Sequence, residues 1–165
     1  MGLSMVGIAL VAGCTAADAV TDSAPETAVL RLDAPVREPI WSEEARGVVA
    51  LAEAEPRLVK FTPASSAGRL TARTAISDPL PGVGENLAPS ATGKNVVYVP
   101  RPDAGRVDVV DAGTLRVEES LRVGESPSFV AVDTGADVLL ALSADGSTVT
   151  GGWTCNRTPA RTLPS

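Results

Sequence analysis

Apolar and polar residues alternate in short segments along the chain from Gly47 onward, and Gly, Pro, Asp and Ser separate these segments. In Arg106-Val107-Asp108-Val109 the valines alternate with charged residues, a pattern typical of half-buried antiparallel strands. No stretch after residue 46 has the periodicity of an amphipathic helix of three turns. The predicted strands are 48–51, 57–61, 69–76, 96–99, 106–110, 115–118, 129–132 and 138–142. The sequence therefore predicts an all-β domain over residues 40–150.

The predicted strands also repeat. Val83-Gly84-Glu85-Asn86 recurs 40 residues later as Val123-Gly124-Glu125-Ser126. Segment 96–99 recurs as 139–142, and segment 105–107 recurs as 146–148. A fainter earlier copy matches segment 48–51 to 96–99 and segment 57–59 to 105–107, at an offset of 48 to 49 residues. A period of about 40 to 45 residues with four strands per unit is typical of a propeller blade.

Several segments carry a family resemblance. They are Gly93-Lys94-Asn95-Val96-Val97-Tyr98-Val99-Pro100, Gly105-Arg106-Val107-Asp108-Val109-Val110-Asp111, Thr114-Leu115-Arg116-Val117 and Val123-Gly124-Glu125-Ser126-Pro127. Together they resemble the YVTN-type β-propeller repeats of extracytoplasmic bacterial proteins, with Tyr98-Val99-Pro100-Arg101 where that family often has Tyr-Val-Thr-Asn. The resemblance implies a partial β-propeller of about two to three four-stranded antiparallel blades. Because propellers host many unrelated activities, it implies a fold rather than a reaction.

The repeats are too few for a closed ring. They span about two and a half blades from Gly47 to Thr150, whereas closed propellers have about four to eight blades. We therefore expect an incomplete propeller whose terminal blades leave one face uncovered. Either a longer gene is truncated or frameshifted near Gly151, or two or three copies close a ring by symmetry. Residues 151–165 are predicted to form an irregular tail.

The N-terminus carries an apolar, uncharged stretch that ends at Val11-Ala12-Gly13-Cys14. The stretch is too short to span a membrane as a helix but suits an export signal. Val11-Ala12-Gly13-Cys14 resembles the lipobox of bacterial lipoproteins, which implies cleavage between Gly13 and Cys14 and a diacylglycerol on the Cys14 thiol. Met1 to Met5 contain no Lys or Arg, which favours a true start further upstream. The alternative is a short apolar helix with an ordinary buried Cys14.

Residues 14–39 are rich in Ala, Thr, Asp, Ser and Pro and carry an excess of acidic residues. This composition predicts a disordered tether between the lipidated Cys14 and the domain. Residues 29–32 alternate in polarity and could add an edge strand. With residues 1–13 as signal peptide, the protein is predicted to be extracytoplasmic and anchored to the cell membrane of a bacterium.

The composition excludes several classes of site. The chain has no His and a net charge of −6, with Lys60 and Lys94 as its lysines. It therefore lacks a Ser-His-Asp triad, a histidine zinc ligand and a basic surface for nucleic acid. The acidic residues of the predicted turns are expected to accept backbone hydrogen bonds rather than to bind metal: Asp103, Asp111, Asp133 and Asp145. Neighbours in a strand face opposite ways, so Glu43/Glu44 and Glu118/Glu119 form no facing carboxylate pair.

The aromatic residues and the second cysteine have structural readings. Tyr98 and Phe129 are predicted to pack between blades, and Trp41 to cap the end of the sheet stack. Once Cys14 is acylated, Cys155 has no exported partner for an intramolecular disulfide, so it either pairs between molecules or is incidental.

These observations favour a lipid-anchored binding or scaffolding module at the cell envelope. Its partners would be the membrane, through the lipid, and an unidentified protein or small-molecule ligand, with a homo-oligomer if several copies close the ring. The alternatives are a propeller enzyme such as a lactone hydrolase and a metal-carrying propeller protein. Both are less favoured because no ligand cluster is recognisable. No catalytic residue, cofactor or metal site is predicted.

Overall fold

The computed structural model describes residues 29, 32, 34–66, 69–91, 93–133, 138–153 and 161–162. Apart from a short 3₁₀ turn at Pro102–Ala104, the regular elements in this part of the chain are strands, as the alternation of polarity predicts. They are β1 (Val36–Ser42), β2 (Gly47–Ala52), β3 (Leu58–Ser66), β4 (Arg69–Ile76), β5 (Ala88–Pro89), β6 (Val96–Arg101), β7 (Arg106–Asp111), β8 (Val117–Arg122), β9 (Pro127–Asp133), β10 (Val138–Ser143), β11 (Val149–Trp153) and β12 (Arg161–Thr162).

The strands form three four-stranded sheets, each built from consecutive strands. We call them the first sheet (β1–β4), the middle sheet (β5–β8) and the third sheet (β9–β12). Every pairing within them is antiparallel, so each sheet is a simple meander. The expected all-β array of about two to three four-stranded units is thus confirmed.

The sheets converge at their first strands. β1 contacts β5, and β5 contacts β9, so the first strands of the three sheets lie side by side. The chain passes from the last strand of one sheet to the first strand of the next, across the connections β4–β5 and β8–β9. This path arranges the sheets around a common edge, as blades are arranged around an axis.

Two hydrophobic clusters fill the spaces between the sheets. One joins the first and middle sheets and contains Val49, Leu51, Leu58, Leu80, Leu87, Val97, Val99, Val110, Ala112 and Leu115. The other joins the middle and third sheets and contains Ala88, Tyr98, Val107, Val123, Val130, Leu139 and Ala141. Each buried Leu contributes about 1.5–3 kcal/mol relative to an exposed one. Because one cluster lies on each side of the middle sheet, both faces of that sheet are covered.

The covering of both faces corrects one inference from the sequence. The alternation in β7 predicts that Asp108 lies on an exposed polar face, yet Asp108 is fully buried. Val107 on one side faces the third sheet, and Asp108 on the other side faces the first sheet. A half-buried strand was predicted because alternation alone does not reveal a second covering sheet.

The ends of the domain also differ from the predicted boundaries. β1 begins at Val36, so the last four residues assigned to the tether belong to the first sheet. β11 runs to Trp153, and Arg161–Thr162 pair with it, so the predicted irregular tail contains strand. Val29 and Leu32 belong to no strand, whereas their neighbours Leu30 and Arg31, with residues 1–28, lie outside the described residues.

The repeated glycine of the β4–β5 connection has a steric role. A Cβ on Gly84 would collide with the carbonyl oxygen of Ser128 in β9. The Gly84 amide donates to the Pro100 carbonyl at 2.9 Å, and the Glu85 amide donates to that of Ser128 at 2.8 Å. The connection thus lies directly against two strands, and only a residue without a side chain fits there.

Candidate binding surface

The turn acids hold their own turns. In the β7–β8 connection the Thr114 amide donates to Asp111 Oδ1 at 2.6 Å, and Asn95 Nδ2 donates to Oδ2 at 3.1 Å. Burial acts to raise the pKa of Asp111, but the hydrogen bonds from Thr114, Asn95 and Gly113 outweigh it and the pKa lies below its usual value. The hydrogen bonds therefore favour the ionised form of Asp111, which accepts them and holds the turn together.

Asp145 has the same role in the β10–β11 turn. The hydroxyl of Ser143 donates to it at 2.5 Å, and the amide of Ser147 donates at 3.0 Å. Together with the Ser147 hydroxyl, these donors lower the pKa of Asp145 to about 2. The predicted structural role is thus confirmed for Asp111 and Asp145.

The other candidate acids are dispersed. Asp103 lies in the first turn of the 3₁₀ segment, and Asp133 ends β9. Glu43 and Glu44 follow β1, whereas Glu118 and Glu119 are exposed neighbours in β8. Within the described part of the chain, no three His, Cys, Asp or Glu side chains come together to hold a metal ion.

A buried ionic cluster surrounds Asp108 in the middle sheet. Arg101 Nη1 donates to Asp108 Oδ2 at 2.6 Å, and the Ser120 hydroxyl donates to Oδ1 at 2.6 Å. Arg106 Nε lies 2.9 Å from Oδ1, an ion-pair distance, although its N–H is not aligned for a hydrogen bond. Donors and counter-charges thus surround the carboxyl group, and these contacts link β6, β7 and β8 inside the middle sheet.

This cluster was not predicted from the sequence. Its sequence signal is a pair of arginines that flank the β6–β7 turn. Arg101 ends β6, Arg106 begins β7, and the two residues lie opposite each other in register. Arg101 also donates from Nε and Nη2 to the Pro81 carbonyl, at 2.9 and 2.5 Å, and so fastens the β4–β5 connection to the middle sheet.

Further polar side chains tie neighbouring sheets together. Asn86 Nδ2 donates to the Val130 carbonyl at 2.8 Å, and the Val130 amide donates to Asn86 Oδ1 at 2.8 Å. Arg37 in β1 donates to the carbonyls of Glu85 and Gly84, at 2.9 and 3.1 Å. Lys60 Nζ donates to the Gly113 carbonyl across the interface between the first and middle sheets. These polar groups are thus occupied in holding the array together.

The aromatic residues divide between covered and uncovered faces. Tyr98 is buried between the middle and third sheets, as predicted. Phe129 is 43% exposed, which corrects its predicted position between blades. Its neighbour Val130 faces the middle sheet, so strand alternation turns Phe129 to the opposite face. Trp41, 47% exposed, likewise lies opposite Ile40, on the outside of the first sheet, as predicted for a cap.

The outside of the first sheet contains a cavity. We define the outer face of the first sheet as the face opposite the middle sheet. The cavity has a volume of about 450 Å³ and is lined by Leu32, Ala34, Val36, Ala52, Ala54, Glu55, Arg57, Val59, Phe61, Ala72, Thr74 and Ile76. Glu55 and Arg57, whose atoms Oε2 and Nε are 2.7 Å apart, supply its charged lining. The remaining lining is almost entirely apolar, which suits an apolar ligand or a protein surface.

The corresponding surface of the third sheet is apolar as well. We define the outer face of the third sheet as the face opposite the middle sheet, and its exposed members include Phe129 and Val149. Leu140 and Leu142 lie half-buried beside them. Exposed large apolar side chains clustered on one surface mark an interaction site. The array thus has two outer faces of similar chemistry at its two ends.

The predicted lipid site lies outside the described residues, as do Gly13, Cys14 and Cys155. In the described ranges no helix is long and apolar enough to cross a bilayer.

No family model matches the chain. No curated protein matches it either.

Solved structures do resemble it. A protein assigned as a 6-phosphogluconolactonase from Bacteroides fragilis NCTC 9343 is 17% identical with a TM-score of 0.54, over 78% of this chain and 37% of that one. Another, from Bacteroides uniformis ATCC 8492, is 12% identical with a TM-score of 0.60, over 79% and 40%. The Cps50 (Swd1) β-propeller domain of Myceliophteria thermophila is 13% identical with a TM-score of 0.54, over 82% and 46%.

The chain has the fold of a partial β-propeller. It spans less than half the length of each of these three solved chains. At these identities the likeness concerns the fold alone, and activity has to be argued from the site.

Proposed function

We propose that this protein is a lipid-anchored, extracytoplasmic β-propeller-type module that binds or scaffolds other molecules at the cell envelope. The observation that carries the binding role is the apolar cavity on the outer face of the first sheet. Asp108, Asp111 and Asp145 are engaged in structural contacts, whereas none of the sheets in the described part of the chain packs on this large apolar surface. The lipobox-like segment ending at Cys14 supports the anchor.

The binding role can be tested in the envelope of the expressing cell. A photoreactive benzoylphenylalanine in place of Ile76, which lines the cavity, is expected to give a discrete cross-linked product. The matched control is the same residue at Val117, which is 45% exposed but lies in the last strand of the middle sheet. Identical product patterns at the two positions would contradict the binding role.

The anchor has its own test. A labelled fatty acid should enter the expressed protein, and Cys14→Ala should abolish labelling and leave a precursor of higher mass. Cys155→Ala is the matched control, because it removes the other cysteine and should leave labelling unchanged. Equal labelling of Cys14→Ala and the unmodified protein would overturn the anchor.

Lactone hydrolysis is the second candidate function, supported by the names of two structurally similar proteins. It predicts that the purified full chain accelerates the opening of 6-phosphogluconolactone above the spontaneous rate, and that unfolding in urea removes the acceleration. A rate equal to the spontaneous one excludes this activity. A metal-carrying role, the third candidate, would require a stoichiometric metal after titration and dialysis.

A further inference from the structure

The two outer faces occupy matching positions in the repeat. In the third sheet, Leu140 and Val149 follow the middle-sheet residues Tyr98 and Val107 by 42 residues, an offset that aligns the paired strands of the two sheets. Tyr98 and Val107 are the residues that the middle sheet buries against the next sheet. The outer face of the third sheet thus carries the positions that pack on a following sheet.

The outer face of the first sheet carries the opposite set. At an offset of 49 residues, Phe61 corresponds to Val110 of the middle sheet, and Leu58 corresponds to Val107. Val110 is a residue that the middle sheet buries against the preceding sheet. A contact between the two outer faces would therefore repeat the kind of interface that already joins the three sheets.

We propose that two copies of this chain pack head to tail, the outer face of the third sheet of each on the outer face of the first sheet of the other, to close a ring of six sheets. The proposal rests on the proposed function, since it names the partner of the same cavity. A head-to-tail contact forms a closed ring where the rotation permits.

The comparisons with solved structures supply the number of copies. This chain covers 37–46% of each of the three solved chains described above, so a second copy supplies a share of the same size. Six sheets fall within the four to eight of closed propellers, whereas three copies would give nine. In the two-copy ring the cavity is closed by Phe129 and Val149 of the other copy.

The test is the mass in solution of the full chain, measured in mild detergent by light scattering with the detergent subtracted. The unmodified chain is expected to have the mass of two copies. Ile76→Asp and Phe129→Asp, each on one outer face, are expected to reduce it to one copy, because a carboxylate would be buried in both interfaces. Val117→Asp, on the middle sheet, is the matched control and should keep the mass of two copies.

A mixture of Ile76→Asp and Phe129→Asp gives the sharpest result. In a mixed ring, one interface combines both substituted faces and the other combines two unmodified faces, so the mass of two copies should return. A contact between two first sheets would instead be broken by Ile76→Asp alone. Thr74→Asp and Val149→Asp repeat the test at neighbouring positions if the thermal melt shows that either first variant is unfolded.

A single-copy mass for the unmodified chain, a mass above two copies, loss of association in only one of the two variants, or no recovery on mixing would overturn the ring. A single-copy chain that still gives a discrete Ile76 cross-link in the envelope would overturn the second copy while leaving the binding role intact.

Discussion

The middle sheet and the first sheet are built from similar alternating strands, yet they use their two faces differently. In the middle sheet both faces are covered, and even the charged Asp108 is fully buried. In the first sheet one face packs on the middle sheet, while the other bears a cavity and Ile76, which is 62% exposed. Whether the second face of an alternating strand is buried or exposed therefore depends on the position of its sheet in the array.

The same contrast governs the polar groups. Two residues at corresponding positions of the two sheets illustrate it: Val59 lines the apolar cavity, whereas Asp108 lies in the ionic cluster. The first sheet's own ion pair, Arg57 with Glu55, has its Glu side chain 65% exposed. A charge inside the array needs several partners, whereas a charge at its end is solvated.

The largest effect should come from breaking the buried ionic cluster. Asp108→Ala leaves Arg101 and Arg106 without their carboxylate, and we expect it to lower the free energy of unfolding by about 3–5 kcal/mol. Glu55→Ala, which breaks the exposed pair of the first sheet, should cost about 0–1 kcal/mol. Urea denaturation measures both, and equal losses would erase the distinction between the covered and the open sheet.

The two faces of the first sheet can be compared with one residue type. Leu58 is fully buried on the inner side of the sheet. Leu58→Ala should therefore lower the free energy of unfolding by about 2–5 kcal/mol, since a cavity remains. Leu70 alternates to the outer face of the same sheet and is 39% exposed, so Leu70→Ala should cost much less. A loss at Leu70 as large as that at Leu58 would mean that the end of the outer face near Leu70 is covered.

Gly84 tests the close packing at the common edge of the sheets. Gly84→Ala would push a Cβ into the Ser128 carbonyl, and overpacking of this kind costs about 1–3 kcal/mol. Gly151→Ala is the matched control, because its Cβ would meet Leu140 Cδ2 at an ordinary 3.4 Å. Thermal melts of the two variants should separate by several degrees, and coincident melts would contradict the steric role of Gly84.

The smallest effect concerns the exposed turn of the third sheet. Because hydrogen bonds lower the pKa of Asp145 to about 2, its stabilisation of the turn is present at neutral pH and is lost as pH falls from the ordinary aspartate value toward 2. A carboxyl titration by NMR should place the Asp145 midpoint near that value. A midpoint at the ordinary aspartate pKa would show that the Ser143 and Ser147 donors are not engaged.

The sequence was sufficient for the class of fold because strand alternation and the repeat of Val83-Gly84-Glu85 are local signals. The alignment of the repeats was less exact. The sequence pattern matches segment 96–99 to 139–142, whereas the structure places Val97 and Leu139 on equivalent faces, one residue away from that match. Because side chains alternate with a period of two, a shift of one residue exchanges the two faces.

The candidate binding surface was only partly predictable. Leu58, Val59 and Phe61 show that β3 is apolar on both sides, which is a signal for two buried faces, but not for which sheet covers each. The aromatic type of Phe129 predicts a position in a blade interface, although the face that it occupies depends on the register with Val130 and on the number of sheets. The Asp108 cluster depends on β6, β7 and β8 together, and no single segment predicts it.

The central claim is that the middle sheet packs on the first sheet with one face and on the third sheet with the other. Nuclear Overhauser contacts from methyl-labelled Val and Leu test it most directly. Val97 and Val99 should show contacts to Leu51 or Leu58, whereas the Tyr98 ring should show contacts to Leu139. Contacts from both sides of β6 to the same neighbouring sheet, or to neither, would contradict the account.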